Sequence, residues 1–167
     1  NAVVVTVLSN LGLHQALAAA GIEVVVTPVG DRHVFAAMER GGYVLGGEQS
    51  GHIIVREHAS TGDGTLVGLL LADLVQRRGG STAAVVAPMV KLPQVARNVP
   101  VARAVADDDD APWRDAVATA QRELGERGRV VVRPSGTEPV VRVMVEAPTA
   151  EQAAAIADRI VRDIPSS

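Results

Sequence analysis

Two valine-rich runs, AVVVTVL at 2–8 and IEVVVTPV at 22–29, constrain the fold more than any other feature. Neither shows the polar alternation of a strand with one wet face, so both belong inside a sheet covered on two sides. Between them Asn10 can cap a helix that carries Leu11, His14, Leu17 and Ala18 at helical spacing, and Gly21 can end it. Strand, helix and strand in so short a span make a βαβ unit with parallel strands. A glycine-flanked loop and a helix with Asp31 near its start follow over 29–42. YVLGG at 43–47 and HIIVREH at 52–58 read as two strands about a glycine-rich turn. A capped helix is expected over 60–80, with Leu66, Leu69, Leu70 and Leu74 on one side. A second helix is expected from Ser81 to about Leu92.

The pattern changes near residue 92. Residues 94–105 are strand-like, with Arg97 and Arg103 interleaved. The acidic run Asp107–Asp110 precedes a helix whose apolar stripe is Trp113, Ala116, Val117, Ala120 and Leu124. Two strands surround a tight loop over 128–147. Thr149 and Gln152 then form a capping box ahead of a helix with Ala153, Ile156, Ala157, Ile160, Val161 and Ile164 on one face. The order β-α-β-β-α predicts a small α+β domain, one sheet covered by helices. The expected organisation is therefore an α/β domain over 1–91, a partial βαβ unit, followed by an α+β domain over 92–167. A strand that begins at residue 2 also suggests a piece of a longer protein.

Composition narrows the function classes. The 167 residues are 47% apolar but only 2% aromatic, so the cores must be built from Val, Leu, Ile and Ala. A net charge of −3 argues against a general nucleic-acid or membrane-surface binder. Without cysteine there are no disulfides and no thiolate zinc sites, and the four histidines lack metal-ligand spacing. No apolar run reaches the length of a membrane span. The Asp107–Asp110 run reads as a solvated helix start rather than a metal site.

Two loops carry residues suited to a ligand. VRPSGTEPVVR at 132–142 brings Arg133, Ser135, Gly136, Thr137 and Arg142 into one strand-turn-strand segment. A dianionic phosphate needs backbone N–H groups, small hydroxyls and guanidinium groups converging on its oxygens. An ordinary hairpin is the plain alternative, since Ser-Gly is a common turn pair. GGEQSGH at 46–52 offers Glu48, Ser50 and His52. Glu48 and Ser50 would project to one side if the backbone were extended, and would suit neighbouring hydroxyls of a sugar. A bare turn with a structural histidine is the alternative there.

These motifs, with TVLSNLGL (6–13), VGDRHV (29–34), STGDG (60–64) and LPQV (92–95), resemble the C-terminal part of the α-D-phosphohexomutases. G-E-x-S-G-H and R-x-S-G-T-E-P are the specific matches, and Gln49 with SNLGL favours the glucosamine branch of that family. The resemblance implies four domains around one cleft, with residues 1–91 as most of the third and 92–167 as the fourth. It implies that Glu48, Ser50 and His52 bind the sugar, and that Arg133, Ser135, Gly136, Thr137 and Arg142 bind the non-reacting phosphate. Asp31 and Arg32 would lie on a further substrate loop. The family's phosphoserine and its Mg²⁺-binding aspartate loop have no counterpart in this sequence. No catalytic residue, metal site or bound cofactor is therefore expected here, and Mg²⁺ belongs to the longer parent. The implied reaction interconverts glucosamine 6-phosphate and glucosamine 1-phosphate, with this chain alone inactive. A phosphomannomutase/phosphoglucomutase piece and a non-catalytic phosphosugar-binding module are the alternatives. The implied partner is a small phosphosugar, with no nucleic acid and no membrane. A monomeric chain and a cytoplasmic location are also expected.

Overall fold

The computed structural model describes residues 1–101, 111, 113–135 and 138–165. The chain divides into two compact units, Asn1–Lys91 and Leu92–Ser167.

In the first unit β1 (Ala2–Thr6), α1 (Leu11–Ala19) and β2 (Glu23–Thr27) form the βαβ element, and the two strands pair in parallel from Ala2↔Glu23 to Thr6↔Thr27. Asn10 caps α1 by accepting from the Gly12 N–H at 3.0 Å. Helix α2 (Asp31–Gly41) leads to β3 (Leu45–Gly47), which lies parallel to β1 on its other side. β4 (Ile53–Val55) then returns antiparallel to β3, giving the order β2-β1-β3-β4. The core comprises Val4, Val34, Ala37, Met38 and Ile54, joined by the partly buried Val25, Phe35 and Tyr43. Burial of such side chains stabilises by roughly 1.5–3 kcal/mol each. Gly46 makes this packing possible. A Cβ there would stand 2.6 Å from Met38 Sδ and 2.8 Å from Val34 Cγ1, so α2 sits on β3 only because Gly46 has no side chain.

The remaining helices of this unit differ from the expectation. α3 (Gly64–Arg77) starts at Asp63, which accepts from the Leu66 N–H at 3.0 Å. It buries no residue fully, and Leu69 is 67% exposed. Its sequence is apolar around most of its circumference, so the leucine spacing does not single out one buried side. α4 covers only Thr82–Val86, short of Leu92. Pro88 has no N–H to return to Ala84, which stops the hydrogen-bond ladder.

In the second unit β5 (Gln94–Pro100), β6 (Arg129–Pro134) and β7 (Val140–Glu146) form an antiparallel sheet in the order β5-β7-β6. α5 (Arg114–Leu124), a 3₁₀ turn (Gly125–Arg127) and α6 (Ala150–Arg162) complete it. Val141, Val143 and Val145 alternate along β7 into one core with Val99, Trp113, Leu124, Ile156 and Ile160. Both helices thus cover the same face, as the β-α-β-β-α order implies. Thr149 caps α6, accepting from the Gln152 N–H at 3.2 Å. The expected acidic helix start at Asp107–Asp110, and Arg103, lie outside the described residues.

Candidate functional site

The turn between β3 and β4 is closed by two backbone bonds. The Glu48 N–H donates to the His52 carbonyl at 2.9 Å, and the Gly51 N–H donates to the Glu48 carbonyl at 3.1 Å. Gly51 takes a φ of 91°, which favours glycine. The backbone is a turn rather than an extended segment, so alternation does not set the directions of Glu48 and Ser50. Glu48 is directed by a tertiary bond instead: its Oε1 accepts from the Gly30 N–H, 2.8 Å away and 18 residues earlier. Gly30 is the N-cap of α2, where a carboxylate also meets the favourable end of the helix dipole. Ser50 and Gln49 are exposed at the tip.

His52 sits just before β4. Its Nε2 accepts from the Gly62 N–H at 3.3 Å and lies 3.6 Å from Asp31 Oδ2. Asp31 is the first residue of α2, and its Oδ1 accepts from the Arg32 N–H at 2.7 Å. Asp31, Glu48 and His52 are thereby brought into one neighbourhood. The exposed Arg32 side chain points elsewhere; its Nε lies 3.4 Å from His33 Nε2. A cavity of about 450 Å³ lies alongside, walled chiefly by Val3, Val5, Leu13, Leu45 and Ile53. Of the candidate residues only Glu48 lines it, so the hydroxyl-binding groups sit mostly outside this apolar hollow.

The second candidate site lies at the β6–β7 end of the other unit. Register places Arg133 opposite Arg142, with Asn98 of β5 on the far side of Arg142. This polar row occupies the sheet face opposite the helices, because Arg142 alternates with the buried Val141 and Val143. Arg142 Nη2 meets Glu138 Oε2 at 2.6 Å, while its Nε is buried with no hydrogen-bond partner among the described residues. Burial, then the neighbouring Arg142 charge, lowers the pKa of Arg133. Arg133 makes no ion pair with any described residue. Of these two neighbouring guanidinium groups only that of Arg142 meets a carboxylate among the described residues, an imbalance that attracts an anion. The Ser135 N–H donates to the Val140 carbonyl at 2.9 Å and closes the loop. Gly136 and Thr137 lie outside the described residues.

Sequence reasoning missed Gly30 and Gly62, whose contributions are backbone N–H groups and carry no side-chain signal. It also missed Asn98, whose relevance depends on register. Among the described residues no group of three or more His, Cys, Asp or Glu side chains could hold a metal ion, and no helix is long and apolar enough to cross a membrane.

The alpha/beta/alpha domain III of phosphoglucomutase/phosphomannomutase matches residues 1–92, and the C-terminal domain of the same proteins matches residues 90–163; the chain belongs to this family. Within it, the similarity runs to phosphoglucosamine mutases. That of Frankia alni is 54% identical over 158 residues, covering 95% of this chain and 35% of that protein. That of Streptomyces coelicolor is 51% identical over 165 residues, covering 99% of this chain and 36% of that protein. The chain thus spans about a third of the length of these curated relatives. Among solved structures, the N-acetylphosphoglucosamine mutase of Aspergillus fumigatus matches with a TM-score of 0.83 at 23% identity, covering 96% of this chain and 37% of that one. The same fungal enzyme in complex with GlcNAc-6P and magnesium matches with a TM-score of 0.81 at 21% identity, over 97% and 38% of the two chains. At such identities these structures establish the fold.

Proposed function

We propose that the chain is the sugar- and phosphate-gripping part of a phosphoglucosamine mutase, which interconverts glucosamine 6-phosphate and glucosamine 1-phosphate. The observation that carries the reading is the Arg133–Arg142 pair, in which only Arg142 meets a carboxylate and Arg133 is free of any ion pair among the described residues. A sugar phosphate supplies the missing negative charge. Ser135, Gly136 and Thr137 add hydroxyl and backbone donors around the same phosphate. Glu48 and Ser50 hold two adjacent sugar hydroxyls, and the Gly30 N–H fixes the Glu48 carboxylate for that task. His52 braces the turn, and Asp31 and Arg32 border it.

Phosphoryl transfer of this kind depends on positioning and charge neutralisation. In the proposed parent a phosphoserine donates to one end of the sugar, and the resulting bisphosphate returns its other phosphoryl group to the serine. Both halves need the non-reacting phosphate held still, which is the part assigned to Arg133 and Arg142. Magnesium, where the parent binds it, supplies further charge neutralisation. The described residues offer it no three-ligand cluster, so no step is assigned to a metal on this chain. The chain alone is expected to be inactive, because the sequence holds no Ser-His-Asn nucleophile loop. Steady conversion of glucosamine 6-phosphate by the pure chain would contradict that.

The test of binding is a titration of the 167-residue chain with glucosamine 6-phosphate and with inorganic phosphate, read from amide NMR shifts. The largest shifts should fall within 133–142, with smaller ones at 48–52 for the sugar phosphate only. Arg133→Ala should weaken binding about tenfold, the size of one charge-assisted contact. Shifts centred elsewhere, or an unchanged titration in Arg133→Ala, would reduce the segment to a hairpin. Equal shifts at 48–52 for mannose 6-phosphate and glucosamine 6-phosphate would favour a phosphomannomutase/phosphoglucomutase parent instead.

A further inference from the structure

The ring of His52 has two neighbours that demand opposite things of one atom. Nε2 accepts a hydrogen bond from the Gly62 N–H at 3.3 Å, and the same nitrogen lies 3.6 Å from the Asp31 carboxylate. An imidazole nitrogen accepts from an N–H only when it is unprotonated, and it attracts a carboxylate only when it carries a proton. With Nε2 serving as acceptor, the proton of the neutral ring must reside on Nδ1, which has no hydrogen-bond partner among the described residues. A ring left to the carboxylate alone would carry its proton on Nε2.

Gly62 is fitted to this contact by space rather than by backbone conformation. Its φ is outside the left-handed region, so the turn itself does not require glycine. A Cβ at Gly62 would instead stand 2.6 Å from both Nε2 and Cε1 of His52, so any side chain would push the ring away. Gly62 also immediately precedes Asp63, the cap of α3, so its N–H is held by the start of a 14-residue helix. The charged groups around the ring are Asp31 from α2 and, on the same turn, Glu48, whose Oε1 is engaged by the Gly30 N–H. Arg32 is turned toward His33.

We propose that Gly62 is a positioning residue for the 48–52 turn: its N–H selects the Nδ1–H tautomer of neutral His52 and its lack of a side chain lets the ring dock against the start of α3. His52 is then a strut that joins the β3–β4 turn to α3, and Asp31 becomes the partner of Nε2 only in the protonated ring. The inference rests on the reading that this turn grips the sugar, since only then does the orientation of Glu48 and Ser50 matter to a ligand.

The experiment is histidine-ring ¹⁵N NMR on the 167-residue chain without any sugar, at a pH where His52 is neutral. The expected wild-type signature is an unprotonated Nε2 and a protonated Nδ1. Asp31→Asn should keep that tautomer, because the carboxylate does not select it. Gly62→Ala should abolish the preference and shift the amides of Glu48, Ser50 and Gly51. Its thermal destabilisation should fall by at least half in a His52→Ala background, where the obstructing ring is gone. A wild-type Nε2–H tautomer would overturn the proposal. So would unchanged ring shifts in Gly62→Ala, or loss of the tautomer in Asp31→Asn. Should Gly62→Ala fail to fold, the wild-type and Asp31→Asn spectra still decide. No phosphosugar is present, so a failed sugar titration leaves this result standing, and the reverse holds too.

Discussion

Replacing Glu146 by Gln should destabilise the second unit far more than its conservative shape suggests. Glu146 is 0% exposed and Arg129 16% exposed, and their side chains meet at 2.7 Å across the β6–β7 pairing. At that separation and an effective dielectric of about 20, the gross attraction is about 6 kcal/mol. Desolvation of both ions offsets much of it. Removing one charge of a buried pair nevertheless typically costs about 3–5 kcal/mol. Arg129 retains a little access to water, so a loss of about 3 kcal/mol is expected. The assay is built into the chain, because the one tryptophan, Trp113, is 1% exposed in the core of this unit. Its fluorescence during urea unfolding reports this unit and not the other. With a slope of roughly 1–1.5 kcal/mol per molar for a small domain, the midpoint should fall by roughly 2–3 M. The internal control is Asp158→Asn, which removes the Arg97 ion pair at 2.9 Å, where the side chains are 41% and 55% exposed. That variant should lose under about 1 kcal/mol. A cost for Glu146→Gln no greater than that of Asp158→Asn would refute a stabilising role for the buried pair.

Other outcomes follow from single contacts. Gly46→Ala should lower the stability of the first unit by about 1–3 kcal/mol through overpacking against Met38 and Val34, read by amide exchange at Val4 and Val5. Glu138→Gln should release Arg142 from its carboxylate and raise phosphate affinity severalfold, with a steeper salt dependence in the same NMR titration. The Glu151 carboxyl is held below its ordinary pKa by its own backbone N–H and by Thr149. A depressed carboxylate stabilises above its unfolded value and loses that contribution as pH falls through the folded one. Acidification below the usual carboxylate range should therefore loosen the start of α6, and Glu151→Gln should abolish that pH dependence in the amide exchange of the first turn.

Features that depend only on neighbours along the chain were legible before any tertiary contact was known. The runs at 2–8 and 22–29 announce parallel strands because strand faces alternate with period two and neither run alternates. Burial on both sides was expected of both but holds only towards the end of β1: β2 is the edge strand of its sheet, and Val26 is 49% exposed. Asn10 and Thr149 mark helix starts because a cap bonds a backbone N–H only two or three residues away. Valines at 141, 143 and 145 reach one core for the same local reason. Pro88 likewise ends α4 through its own missing N–H, a signal present in the sequence although the helix was expected to run to Leu92. The sites depend on longer reach. Glu48 and Gly30 meet only because β3 inserts beside β1 and brings the β3–β4 turn to the start of α2. Arg133 faces Arg142 only in the observed register; a shift of one residue would set Arg133 against Val141 or Val143. Glu146 reads as an ordinary strand-end acid until the pairing with Arg129 buries it. Hydrogen-bond partners separated by tens of residues carry no periodic signal, so strand order and register alone could decide them.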